Sequence, residues 1–301
     1  MAGEFDFIEW IRAQRAPGAA APSDFVRVPP GDDLAVLQWL GGADDLLLVG
    51  VDQVLDGVHF DASHHVPRAI GRKAMNRNLS DCAAMGCLPA AAVATVALPK
   101  DASMEYAKEL YLGLREAADP FDCPVVGGDT ASWGGKLVVT VTILGRSAGV
   151  KPVTRAGARI GDAIYVTGPL GGSIRGRHMT FHPRVAMGRQ LAENKVSAMI
   201  DLSDGLSRDL RHICRASGVG AEIDALAIPV HEDAIEMRRD GHTPLEHALH
   251  DGEDYELLFT APGEFHWFKR IGAITAATTI VLDHGAGKRE PLEPKGWEHS
   301  L

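Results

Sequence analysis

Apolar runs and apolar stripes alternate along this chain, and the period of each predicts its element. Phe5, Ile8 and Ile11 recur at helical spacing over 4–15, while 16–24 is an Ala-, Pro- and Gly-rich loop. A Pro-Pro-Gly-Asp-Asp turn at 29–33 precedes a strand-like run over 34–40. The run 46–52 reads as a buried strand, and Pro67–Met85 as a helix that opens on proline and stops at Gly86. Strands at 92–98, 124–126 and 137–144 follow, with a helix over 103–118 between the first two. After a Gly-, Lys- and Arg-punctuated connector at 146–161, the pattern resumes. It gives strands at 163–167, 197–201, 219–224, 254–260 and 274–282, and helices near 183–193, 204–216 and 263–271. Such alternation implies an α/β (α+β) fold in layers. The connector divides it into domains of 1–148 and 149–301.

Composition narrows the functional class. The chain has 301 residues, 46% apolar and 23% charged, with a formal charge of −10. A chain this acidic is a poor partner for nucleic acid, which needs clustered Lys and Arg. It can still take nucleotides, because a metal ion reverses the sign of a site locally. No run approaches the ~18 apolar residues of a membrane span. Cys82, Cys87, Cys123 and Cys214 form no CxxC pair, and the acidic start is unlike a signal peptide. A cytoplasmic protein is expected.

The placing of the aspartates carries the chemistry. Asp52 closes one apolar run, Asp129 follows Val-Val-Gly-Gly, Asp201 follows Ala-Met-Ile, Asp204 comes three residues later beside Ser203, and Asp32 and Asp33 share a Gly-led turn. Any one of these reads most plainly as a strand terminator. Repetition of the form argues for an oxygen-ligand site for a hard cation such as Mg²⁺. Asp81 adds a carboxylate on the 67–85 helix, three residues from Asn78, in a segment otherwise costly for a bare charge. No GxxxxGK[ST] loop and no protein-kinase motif set is present, so carboxylate-held metal would have to neutralise phosphate. Arg155 is a candidate supplementary cation on the polyphosphate, although spacing alone reads it more plainly as a solvated linker arginine. His59 reads as a packed or surface residue on position alone, His247 and His250 as surface residues, and Glu253 and Asp254 as a polar turn repeating the Gly-acid form.

Nine stretches, in order, resemble the thiamine-monophosphate kinase family, within the superfamily of aminoimidazole ribonucleotide synthetase. They are GEF (3–5), GDD (31–33), VDQVLDGVHF (51–60), NLSDCAAMG (78–86), GGDT (127–130), TRAGARIGDAIYVTG (154–168), DLSDGLSRDL (201–210), GEDYELLF (252–259) and GWEH (296–299). The resemblance implies a two-domain aminoimidazole ribonucleotide synthetase-like architecture. Its N-terminal α/β domain would pair across a homodimer, and its C-terminal domain would close the site. It implies ATP- and Mg²⁺-dependent phosphorylation of thiamine monophosphate to thiamine diphosphate by in-line transfer. Metal ligands would be Asp33, Asp52, Asp81, Asp129, Asp201 and Asp204, with Gly50 and Val51 offering backbone carbonyls. Gly128, Asp129, Arg155 and Ser203 would contact ATP, and His59, Glu253 and Trp297 the acceptor. Asp129 and Asp204 would be central to catalysis. Two departures stand out: Gly50 and Val51 replace the hydroxyl residues usual before Asp52, and the segment from Gly171 to His182 is short. They leave open a paralogue acting on another small phosphate ester, or a non-catalytic nucleotide binder. Selenophosphate synthetase would require a reactive cysteine in a Gly-rich N-terminal segment, and the hydrogenase-maturation relative a terminal one; this chain has neither.

Overall fold

A computed structural model of the chain describes residues 26–28, 32–38, 45–237 and 240–297. The expected helix at 4–15, the loop at 16–24 and residues 29–31 of the 29–33 turn lie outside these residues, as do Trp39, Leu40 and the last two residues of GWEH.

A first, mixed sheet has the strand order β1(Val26–Val28)–β2(Ala35–Gln38)–β3(Leu46–Leu55)–β6(Val138–Arg146)–β4(Leu88–Pro99)–β5(Val125–Trp133). Only β4 and β5 pair in parallel, and helix α2 (Met104–Ala118) makes their crossover. Helix α1 (Pro67–Met85) lies against this sheet. Pro67 sits in its first turn, and Gly86 at φ 66° ends it, with Gly86 N donating to Ala83 O and Cys87 N to Cys82 O. Thirteen of its nineteen residues are buried, so it is covered on nearly every side. Gly71 and Gly113 let α1 and α2 cross in backbone contact: a Cβ on either would strike the carbonyl of Leu110 or Arg68.

The second sheet runs β13(Arg289–Pro291)–β12(Ile280–Asp283)–β9(Gly220–Asp224)–β11(Lys269–Thr275)–β7(Ala163–Val166)–β10(Leu257–Ala261)–β8(Ala198–Asp201). Its central strands are buried on both faces. Tyr165, Met199, Leu257 and Phe259 join the core that contains α1, while Ile164, Ile200 and Leu258 face a separate core under helix α5 (Leu206–Ser217). Short helices α3 (Arg177–Thr180) and α4 (Val185–Glu193) sit between the sheets, with α6 (Glu232–Glu236) and α7 (Pro244–His250) on the far side. Gly188 of α4 packs on the Ala83 carbonyl of α1, the second close crossing.

Two expectations need correction. Residues 263–271 are not helical: a turn with Phe268 N on Phe265 O leads directly into β11. Phe265 and Phe268 have helical spacing because both pack on Phe259, their ring centroids 5.3 Å from its own. Tertiary packing outweighs a segment too short to nucleate a helix. The predicted strand at 274–282 is split accordingly into β11 and β12. No helix among the described residues is long and apolar enough to cross a membrane.

Candidate active site

Side-chain alternation on β8 explains the first cluster. Met199 faces the α1 core and Ala198 and Ile200 face away, so Asp201 turns toward α1, where Ser80 Oγ donates to its Oδ2 at 2.6 Å. Asp81 follows Ser80, and Asp33 precedes β2. One carboxylate oxygen from each of Asp33, Asp81 and Asp201 lies within 4.8 Å of the others. Burial, and then the charges of Asp52, Asp201 and Asp33, push the Asp81 carboxyl well above its ordinary range; burial and Asp33 raise Asp201 to about 7. Arg155 borders this trio: its Nη2 and Nε donate to the two Asp33 oxygens at 2.8 and 3.3 Å, and its backbone N–H to Asp32. Burial raises Asp32 to about 7, with Asp33 adding to it.

A second group continues along α1. Lys73, Arg77 and Asp81 are spaced by four, one turn apart on one face. Arg77 Nε donates to Asp52 Oδ2 at 2.9 Å, and its Nη1 lies 3.8 Å from Glu253 Oε1. Lys73 has no exposed side-chain surface; its Nζ donates to His59 O at 2.6 Å and to Glu253 Oε2 at 2.9 Å. Burial lowers its pKa to about 8 despite Glu253. Glu253 and Tyr255 both hold positive φ (52° and 51°), rare for side chains of this size. The loop is held by Glu253 N on Ser203 O and Tyr255 N on Leu202 O, and Gly252 (φ 75°) allows the close pass, since a Cβ there would meet Ser203 O at 2.7 Å.

The Ser203 loop opens a third cluster. Asp204, Asp209 and His212 bring ligand atoms within 4.8 Å of one another, and Asp204 N donates to Asp209 Oδ2. Burial, then Asp204 and Asp201, raise the Asp209 carboxyl well above its usual range. Trp297 N donates to Asp204 O and leaves the indole half-exposed.

The remaining candidates lie elsewhere. On β3, Asp52 faces α1, whereas Val51 is 61% exposed on the opposite face; Gly50 packs against Leu34. Strand register sets Asp129 beside Thr95, and Thr95 beside Thr140, which bonds Gln53 on that same outer face. Asp129 is exposed, on the face away from α1 and the carboxylate trio, and Gly128 packs on Ala94 O. His247 is buried, between Asp240 and Asp251, and is not a surface residue.

Residues 31–147 match the family AIR synthase related protein, N-terminal domain, and 173–271 match AIR synthase related protein, C-terminal domain. The thiamine-monophosphate kinase of Rhodopirellula baltica is 41% identical over 91% of this chain and 92% of its own; that of Escherichia coli is 36% identical over 89% and 90%. The chain belongs to the thiamine-monophosphate kinase family. Among solved structures, AaThiL complexed with AMPPCP and TMP superposes with a TM-score of 0.84 at 31% identity, covering 99% of this chain and 97% of that one. Thiamine-monophosphate kinase from Stenotrophomonas maltophilia gives 0.71 at 31% identity, over 92% and 95%.

Within this member of the thiamine-monophosphate kinase family, Lys73, Arg77, Asp209 and His212 were not singled out from sequence. A helical wheel would have found the first two, since they share a face with Asp81. Asp209, in the DLSDGLSRDL run, and His212, two residues past its end, are three apart and were equally open to a spacing argument.

Proposed function

We propose that this chain transfers the γ-phosphoryl group of ATP to thiamine monophosphate, giving thiamine diphosphate and ADP. The observation that carries the reading is the convergence of Asp33, Asp81 and Asp201, from both halves of the chain, on one buried point. The donor set is all oxygen, and the Asp33 charge raises the proton affinity of both Asp81 and Asp201, so it suits a hard divalent cation. Asp33, Asp81 and Asp201 would hold Mg²⁺, with Asp52 and Asp204 beside them; bound there, magnesium supplies neutralisation of polyphosphate charge. Arg155 and Ser203 border the nucleotide end, whereas His59, Lys73 and Glu253 form the acceptor end. The residues' task is to align an acceptor phosphate oxygen with the γ-phosphorus and exclude water. An anionic acceptor needs no strong base.

Asp129 and Gly128 fit this reading through a homodimer. The outer face of the first sheet exposes Val51 and Val93, and the neighbouring β5 edge Val126 and Trp133, apolar groups that a second copy would cover. Asp129 stands on that face, where it would serve the partner's site. Four buried free thiols suit a cytoplasmic enzyme. Incubation with Mg-ATP and thiamine monophosphate is expected to give thiamine diphosphate and ADP in equal amounts. ADP without thiamine diphosphate, or neither, would refute the assignment.

A further inference from the structure

Arg77 occupies a peculiar place for a cation. It is the middle member of the α1 row, one turn of about 5.4 Å from Asp81 on one side and from Lys73 on the other. Asp81 belongs to the carboxylate trio; Lys73 holds Glu253 and the His59 carbonyl. The guanidinium therefore stands at the junction between the proposed nucleotide end and the proposed acceptor end.

Its hydrogen bonding is strongly asymmetric. Only Nε–H is spent, on Asp52; among the described residues neither terminal nitrogen makes a hydrogen bond, and the nearest ion-pair contact is Glu253 Oε1 at 3.8 Å. Lys73, by contrast, spends its ammonium on His59 O and both oxygens of Glu253. The Arg77 side chain is 14% exposed, so these four N–H groups are largely, though not wholly, screened from solvent. A planar fork of donors held from behind by a carboxylate matches a phosphate group, which accepts two parallel bonds.

We propose that Arg77 is a catalytic cation of this site, its terminal nitrogens binding the equatorial oxygens of the phosphoryl group in flight. The proposal rests on the kinase reading above. In the step it serves, an acceptor phosphate oxygen forms a bond to the γ-phosphorus. The bond to the β–γ bridging oxygen breaks, and its electron pair leaves on ADP. Asp52 orients Arg77 through Nε, and Glu253 and Lys73 close the other side. Arg77 thereby adds fixed positive charge where negative charge is spread over the transferring group.

The test compares wild type with Arg77→Met and Arg77→Lys at saturating ATP, thiamine monophosphate and magnesium. Turnover is expected to fall about 100-fold or more in Arg77→Met and at least about 10-fold in Arg77→Lys, which keeps the charge without the fork. Thermal stabilisation by Mg-ATP should persist in both, and added guanidinium ion should restore part of the turnover of Arg77→Ala. A counter-ion for Asp52 alone would behave differently: saturating magnesium would return Arg77→Met to within about threefold of wild-type kcat, and that result overturns the proposal. Should Arg77→Met fail to fold, wild-type turnover in Arg77→Lys overturns it equally. Wild type that makes no thiamine diphosphate removes the kinase reading and this inference together; a fall confined to KM removes the inference alone.

Discussion

Gly188→Ala offers a sharp test of how the two halves are held in register. A Cβ on Gly188 would lie 2.0 Å from Ala83 O, where real Cβ contacts essentially never come below 3.0 Å, so α4 must retreat from α1 by at least about 1 Å. Ala83 is backbone in a buried helix and cannot yield as a flexible side chain would. Overpacking of this kind costs about 1–3 kcal/mol. Where β8 follows α4, the same retreat would stretch the 2.6 Å bond from Ser80 to Asp201, which joins α1 to β8, beyond hydrogen-bonding range. Losing a bond to a charged acceptor adds roughly 1.5–3 kcal/mol. Misplacement by about 1 Å at the carboxylate trio should lower kcat about 100-fold. Urea unfolding and steady-state kinetics measure the two effects, with Gly134→Ala as control, since its Cβ meets nothing within 4 Å. Wild-type stability and turnover in Gly188→Ala would show that the crossing does not set the site.

Further outcomes are expected elsewhere in the molecule. If the site is shared between subunits, mixing inactive Asp129→Asn with inactive Asp33→Asn should restore up to about a quarter of activity through heterodimers; no recovery despite subunit exchange would place both residues in one subunit's site. Lys73→Met should destabilise the fold by about 3 kcal/mol, because it leaves Glu253 and the His59 carbonyl without their buried donor; a loss under 1 kcal/mol in denaturant titration would contradict that role. Burial, then Arg155, Arg208, Arg215 and Arg211, lowers the His212 pKa from 6.5 to about 3. Between those values the unfolded chain binds a proton that the folded chain refuses, so stability is lost as pH falls through that window, at up to about 1.4 kcal/mol per unit. His212→Gln should flatten the dependence relative to wild type in urea titrations at pH 4–6, and an unchanged slope would refute the shift.

Much of this was legible in the chain because local signals and tertiary structure agree. Pro67 and Gly86 mark the first residue of α1 and the position just past its last because both act through backbone conformation, which needs no partner. Of the acids expected at strand ends only Asp201 closes its strand; Asp52 and Asp129 lie within β3 and β5, which run on past the apolar residues because strand pairing, not hydrophobicity, sets their length. Lys73 and Arg77 escaped notice because cations at i and i+4 look the same on a wet surface as in a dry cleft; only the second half of the chain, arriving with Glu253, makes the difference. The side of the sheet that Asp129 occupies depends on pairing with β4, a register that no stretch of β5 encodes alone. Residues 263–271 misled for the opposite reason: a helix-like spacing of two phenylalanines was created by one shared neighbour.

Helix α1 belongs to neither half alone. Its flanks are claimed by the first sheet and α2 on one side and by α4 and β8 on the other. During synthesis the first sheet can assemble as soon as β6 has emerged, yet Asn76 and Ser80 then await Phe181 and Asp201, about a hundred residues downstream. A nascent chain paused in the 146–161 connector thus displays a helix face with unmet polar groups and bare apolar surface. That interval is where a holdase or a misassembled neighbour would find its opening.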